Sequence, residues 1–432
     1  MLGVAIIAHI AGNTPHAAPS SAGGVATAAL GAGAVALLLH PGGRALVATV
    51  AALVLASVWY EAPRLGNHWL LTGLVCVAVL IAVWRSDRWT WFAPTARWIL
   101  LGFYGFAAFA KLNAGFFDPL TSCGVFYANQ WLGSWVLPQV PAGGGLASAV
   151  AVASAATELA VPLLLVVPRT RRLGLTVGVV FHALISFDLH QHFYDFTAVL
   201  FALFGLFIPD PETTELDRRA GVSRVLPIAA AGAAAVVVLA IAQPTPMIRA
   251  LLVVGVFALW IPFAAWFVAA VLRRERDEAP VALRLTDPLA IALVIVVVCN
   301  GLTPYLELKT AYGFNMYANL HTAAGESNHL LIRRTLPLTD VQEHLVVIEA
   351  SNDPELARYV DSGYVLPERN LADYLASRPD TSVTFTRDGA LVRVTGAEYG
   401  RPLSPLIARL TAFRAVDTHD PPRCQVEWLP AR

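Results

Sequence analysis

Apolar residues along this chain gather into long unbroken runs, at roughly 23–39, 45–60, 69–84, 97–112, 146–167, 173–188, 194–208, 225–243, 247–272 and 286–303. Runs of this kind approach the ~20 residues a helix needs to cross ~30 Å of hydrocarbon, and they predict about ten membrane spans. The run at 194–208 is short for a full crossing, and the Gly- and Ala-rich first run is the weakest of the set. The first twelve residues are apolar but carry no basic region, so a cleaved signal peptide is not expected. Past residue 304 the pattern changes. Val346 to Ala350 reads as a strand, and Asp353 to Val360 as a helix opened by Asn-Asp-Pro. Thr381 to Phe385 and Ala390 to Val394, joined through Asp388-Gly389, read as a β-hairpin. Pro405 to Phe413 offers a closing helix and Val426 to Trp428 a last strand. The predicted fold is an all-α multi-pass membrane helical bundle over residues 1–304, with a small C-terminal α+β extracytoplasmic domain over 305–432.

Composition agrees with the pattern. Hydrophobic residues make up 56% of the chain and charged residues 14%, against about 25% charged in soluble domains. The net charge is zero and there is no basic run, which argues against nucleic acid as a partner. Arginines then orient the spans. Arg85, Arg88 and Arg97 surround one connection; Arg169, Arg171 and Arg172 fill another. Arg218, Arg219 and Arg224, and Arg273, Arg274, Arg276 and Arg284, fill two more, while 113–145 and 189–193 hold no Lys or Arg. By the positive-inside rule the Arg-rich connections are cytoplasmic, so 113–145, 188–194 and everything after about 304 face outward. The expected location is the cell membrane, with the lipid bilayer itself as a partner.

Of 30 basic residues only Lys111 and Lys309 are lysine, each at the end of an apolar run. A partly buried lysine can lose its proton and act as a base, which arginine cannot do; the plain alternative is an ammonium that reaches the interface. Glu158 and His182 lie inside apolar runs, where ionisable groups are costly and so mark function by default. Each also has a structural reading, as a hydrogen-bonded carboxylate and a satisfied core histidine. Asp188 lies beyond His182 toward the outside and is a further candidate for binding substrate. Asp188-x-His190-x-His192 resembles a ligand set, but no fourth ligand has a recognisable spacing; a solvated loop is expected and no metal. The four cysteines form no CxxC; Cys123 and Cys424 both fall on the outer side, which permits a disulfide between them. The segment 304–332 is dense in polar and aromatic groups, with Lys309, Asn315, Asn319, His321, Asn328 and His329 as candidate binding residues. It reads either as a cover over a site or as a docking strand for the outer domain.

Tyr104-x6-Lys111-Leu112-Asn113, then Glu158-Leu-x-Val-Pro, Arg169-x-Arg171-Arg172-x-x-Gly174 and Phe181-His182, resemble the horizontally transferred transmembrane (HTTM) family. That family includes the vitamin K-dependent γ-glutamyl carboxylases, and the similarity is clear over about 95–210. The resemblance implies a lysine base at Lys111, with His182 and Glu158 as further catalytic residues and Tyr104 and Asn113 near the substrate. It implies a reduced, vitamin K-like naphthoquinone as cofactor and a peptide or small-molecule substrate. Lys111 would deprotonate the reduced quinone; oxygen adds, and the basic species formed takes a carbon-bound proton before carbon dioxide adds, leaving an epoxide. Two departures stand out. The lysine is single where the animal enzymes carry a Lys-Lys pair, and the outer domain is far smaller than theirs. The alternative function is a non-catalytic membrane scaffold or a lipid- or small-molecule-binding protein of the same fold.

Overall fold

The computed structural model describes residues 1–13, 22–208, 222–242, 245–273, 281–425 and 430–431. Arg218, Arg219, Arg274, Arg276 and the strand expected at 426–428 lie outside the described residues, as does the side chain of Arg224.

Most of the chain is helical. In order come α1 (Leu2–Gly12), α2 (Ala22–Leu39), α3 (Arg44–Glu61), α4 (Asn67–Val83), α5 (Arg88–Phe109), α6 (Ala114–Phe117), α7 (Cys123–Ser134) and α8 (Gly144–Val166). They are followed by α9 (Arg171–Ile185), α10 (Phe193–Phe204), α11 (Val222–Ile241), α12 (Pro246–Leu272) and α13 (Pro288–Leu302). Local chemistry sets several starts. Thr245 Oγ1 accepts from Ile248 N at 3.3 Å and Asp287 Oδ1 accepts from Leu289 N at 2.9 Å, each just ahead of a proline at the first helical position.

All ten apolar runs are helical, but ten spans are not supported by length and composition. Among the described residues, three helices are long and apolar enough to cross a membrane: Arg44–Glu61, Gly144–Val166 and Ala250–Leu272. Two of the others fall short for definable reasons. α10 has 12 residues, about 18 Å at 1.5 Å per residue. α5 has 22 residues, but its first half carries Arg88, Thr90, Thr95 and Arg97. Several elements escaped the sequence reading, among them α1, which is buried along almost its whole length, and α6 and α7, inside the expected outer loop.

α5 is the central helix, packed against α4, α8 and α13. Its approach to α13 depends on Gly301, where a Cβ would lie 2.2 Å from Cγ of Phe106. Trp69, Phe103, Phe201, Phe204 and Phe314 are fully buried in the same core.

The C-terminal region is built on a five-stranded antiparallel sheet in the order β6-β5-β3-β4-β8. Its strands are β3 (Leu345–Ser351), β4 (Tyr364–Pro367), β5 (Ser382–Arg387), β6 (Ala390–Thr395) and β8 (Val416–Asp417). Short pairs β1 (Thr322–Ala323) with β2 (Glu326–Ser327), and β7 (Phe413–Arg414) with β9 (Pro430–Ala431), complete the set. The β5–β6 hairpin turns at Asp388 (φ 49°) and Gly389 (φ 77°), the two positive φ values of a type I′ turn. Val346, Ile348, Leu371, Leu375, Val383 and Phe385 form this region's own core.

Cys123 and Cys424 form a disulfide with a Cα–Cα distance of 4.8 Å, tying the start of α7 to the end of the C-terminal region across 301 residues. Cys424→Ser is expected to destabilise the fold by about 2–4 kcal/mol, since the unfolded chain loses a long closed loop. Thermal unfolding of the two proteins under non-reducing conditions measures this, and equal midpoints would show that the link carries no stability.

Candidate functional site

Between α5, α7, α8 and α9 lies a cavity of ≈ 480 Å³. Its walls are mostly aromatic and aliphatic, among them Phe103, Phe116, Tyr127, Trp131, Phe181 and Phe196, and five of the expected residues line it: Tyr104, Lys111, Glu158, His182 and Asp188.

The first four are placed by their helices. α5 ends at Phe109, which sets Lys111 just past the C-terminal turn, 4% exposed. Its Nζ donates to Ala107 O and to Met316 O, both at 3.3 Å, a position that suits a cation at a helix C-terminus. Glu158, on α8, holds Oε2 2.8 Å from that Nζ. His182, on α9 and 2% exposed, meets the Tyr104 hydroxyl through Nε2 at 2.8 Å. Its Nδ1 has no hydrogen-bond partner among the described residues. The imidazole is enclosed by Phe181 and Phe196, with ring centroids 5.1 and 5.2 Å away. The cavity therefore joins an apolar volume to two polar pairs, Lys111–Glu158 and Tyr104–His182.

Asp188 also reaches the cavity wall, but its oxygens are used by the protein. They accept from Gln130 Nε2 at 3.0 Å, Ser134 Oγ at 3.2 Å and His190 N at 2.8 Å. Asp188 thus fixes α7 to the turn after α9, and the Asp188-x-His190-x-His192 series does not converge: the His190 side chain is 60% exposed and His192 packs against Gly12.

The segment after α13 is not a loose cover. Glu307, Tyr312, Phe314, Tyr317 and Asn319 all have positive φ, a conformation that costs a non-glycine residue about 1 kcal/mol or more and persists only where the surroundings enforce it. Tyr305, Tyr312, Phe314 and Met316 are buried, so the segment is a plug, and Met316 and Tyr317 form part of the cavity wall.

Four of the polar groups expected to bind substrate, Asn113, Asn319, Asn328 and His329, hold this plug. Asn113 Oδ1 accepts from Phe116 N at 2.9 Å, and its Nδ2 donates to Ala110 O and Ala318 O. Asn319 Oδ1 accepts from Cys123 N at 2.9 Å, while its Nδ2 donates to Thr121 O and Pro422 O. Asn328 Nδ2 donates to Asn319 O and to Asn113 Oδ1. His329 Nε2 lies 2.9 Å from Phe109 O, and its Nδ1 accepts from Leu331 N and Ile332 N, which makes it a neutral backbone clamp. Burial lowers its pKa, and the Phe109 carbonyl opposes that shift. Asn315 and His321 line a different, smaller cleft of ≈ 60 Å³ beside Arg414 and Asp417. Asn315 Oδ1 has no partner there among the described residues, and burial lowers the His321 pKa.

Lys309 is outside the cavity. It is 6% exposed, and its Nζ donates to Asn300 Oδ1 at 2.6 Å and sits 4.3 Å from the centre of the Tyr312 ring. Burial pulls its pKa down to about 7. A depressed lysine pKa means the unfolded chain binds more protons between pH 7 and the unfolded value, so stability rises with pH across that window. From pH 7 to pH 9 the gain is about 2 kcal/mol. Chemical unfolding of wild type and Lys309→Met at both pH values checks this; the difference between the two proteins must change by that amount, and a constant difference refutes it.

A second polar cluster was missed. His9 on α1, Glu61 at the end of α3, His68 on α4 and Asp195 on α10 meet at one end of the bundle, and His9, His68 and Asp195 are all buried. The available signal was the same that marked Glu158 and His182, an ionisable group within an apolar stretch.

No family model, curated protein or solved structure matches this chain. Fold and site define a mostly helical protein with three helices fit to cross a membrane, a small C-terminal sheet region and a buried amine facing an apolar cavity.

Proposed function

We propose that the chain is a multi-pass membrane enzyme of the HTTM type that takes a lipid-soluble ring quinol into the cavity, with Lys111 as its base. One observation carries the reading: a nearly fully buried lysine lies on the wall of a ≈ 480 Å³ apolar cavity with a carboxylate 2.8 Å away. Volumes of this size and lining suit small aromatic ligands held by a few convergent polar groups. A reduced naphthoquinone would supply a dissociable ring hydroxyl. Lys111, in its neutral form, would take that proton, Glu158 would stabilise the ammonium so formed, and the aromatic walls would exclude water. His182, held upright by Tyr104, orients the ring through its hydrogen-bonding edge. In the carboxylase form of the reading, the deprotonated quinol and molecular oxygen would supply a strong base that takes a carbon-bound proton from a peptide or small molecule; carbon dioxide would then add at that carbon, with the quinone left as its epoxide.

The multi-pass arrangement draws support from the surface. Leu163, Ile228, Val254 and Ile295, on four different helices, are 61%, 74%, 66% and 55% exposed, and apolar side chains so displayed call for lipid around them. The disulfide supports an extracytoplasmic C-terminal region, because such bonds persist in oxidising compartments.

A second reading has its own observation. Lys111 already holds a carboxylate, as a structural ion pair would, and the chain would then bind the ring without turning it over. The experiment is epoxide formation by the protein in nanodiscs, given reduced naphthoquinone and oxygen, with quinone binding followed in parallel. Epoxide supports the enzyme. Binding without epoxide selects the binder, and absence of binding overturns both.

A further inference from the structure

We infer that His9, His68 and Asp195 form a buried binding site for a divalent transition metal of the zinc type. One ligand atom from each lies within 4.8 Å of the others, and the residues come from three helices. A zinc ion bound at about 2.0–2.1 Å in tetrahedral geometry holds its ligand atoms roughly 3.4 Å apart. The cluster is therefore a modest contraction away from coordination.

Protein partners hold these groups around a common point. His9 Nε2 is 3.1 and 3.2 Å from the two oxygens of Glu61, and Ser57 Oγ donates to Glu61 Oε1, which fixes the proton on Nε2. That leaves a lone pair on Nδ1, turned toward the Asp195 side. A carboxylate holding the far nitrogen of a ligand histidine is the usual support for a metal-binding imidazole. The Trp69 ring, stacked on His9 at 3.6 Å, holds the imidazole plane. His68 Nε2 is 3.1 Å from Asp195 Oδ2, yet it makes no aligned hydrogen bond there among the described residues. Close approach without alignment fits two ligand atoms that face a common point more than each other.

At that point stands the Asn13 amide. Its Nδ2 is 3.1 Å from His9 Nδ1 and 2.7 Å from Asp195 Oδ2, so it bridges two of the ligand atoms. Asn13 is exposed at the end of α1, and turning its amide presents Oδ1 as a fourth ligand. The donor set becomes two imidazoles, a carboxylate and an amide oxygen, four ligands of the kinds zinc takes. The ion would fasten α1 to the ends of α4 and α10. Neither ligand spacing nor a local motif announces this, because the ligands are 59 and 127 positions apart along the chain.

The test uses untagged, full-length protein in nanodiscs, stripped with a chelator, reloaded with Zn²⁺ or Co²⁺ and freed of loose metal. Elemental analysis is expected to find about one ion per chain, and Co²⁺ the visible bands of a four-coordinate site. His68→Gln and Asp195→Asn each lower retention about tenfold or more, while Lys111→Arg retains the ion. The inference is overturned if folded wild type keeps no ion, or if His68→Gln and Asp195→Asn keep as much as wild type. Should the variants fail to fold, the Co²⁺ spectrum of wild type decides alone, and an octahedral, water-like spectrum refutes the site.

Discussion

Lys111→Arg is expected to abolish quinol-dependent epoxide formation while leaving both the fold and ring binding in place. The guanidinium keeps the positive charge that Glu158 faces at 2.8 Å, so the ion pair and its packing persist. What it cannot do is release its proton near neutral pH, and a group that is always protonated cannot accept one. Loss of a positioned general base costs about 10²–10⁴ in rate, so the variant should fall to the background of empty nanodiscs. Lys111→Ala should lose as much activity, with weaker stability besides, because it strips Glu158 of its partner. The informative outcome is the arginine variant. If it turns over at the wild-type rate, only charge is needed at this position, and the base role fails. Ring binding measured beside turnover separates that failure from a collapsed cavity.

The helices were legible because apolar runs of fifteen or more residues leave the backbone few alternatives, and each of the ten runs is helical. The hairpin at Asp388-Gly389 was legible because two adjacent positive φ angles have a short list of suitable residues. Span number was not legible in the same way. The runs at 173–188 and 194–208 became helices of 15 and 12 residues, closed at Ser186 and Gly205 before the runs end. Tyr104, Lys111, Glu158 and His182 could be found because a polar group in an apolar run stands out. Asn113, Asn319 and Asn328 stand out equally, but their task is set by partners far along the chain. Asn328 donates to Asn113 across 215 residues, and Asn319 accepts from Cys123 across 196. No local pattern distinguishes an asparagine that binds substrate from one that satisfies buried backbone. His9 and Asp195 escaped for the same reason: their meaning comes from their meeting.

Replacing Glu158 separates the structural from the chemical share of the cavity's ion pair. Glu158→Leu removes the carboxylate and leaves the Lys111 ammonium 4% exposed, with only two carbonyl contacts at 3.3 Å. An uncompensated buried charge of this kind destabilises by about 3–5 kcal/mol. Adding Lys111→Met should recover most of that loss, because two buried charges exchanged for apolar groups of similar volume are often neutral or stabilising. The single variant is thus expected to unfold at markedly lower denaturant than wild type, and the double variant close to it. Activity should follow the opposite logic and be absent from both. Stability restored with turnover still missing would place the Lys111–Glu158 pair in the chemistry, since the fold does without it. A double variant as unstable as the single one would mean that the pair is part of the scaffold, and the case for Lys111 as a base would lose its main physical support.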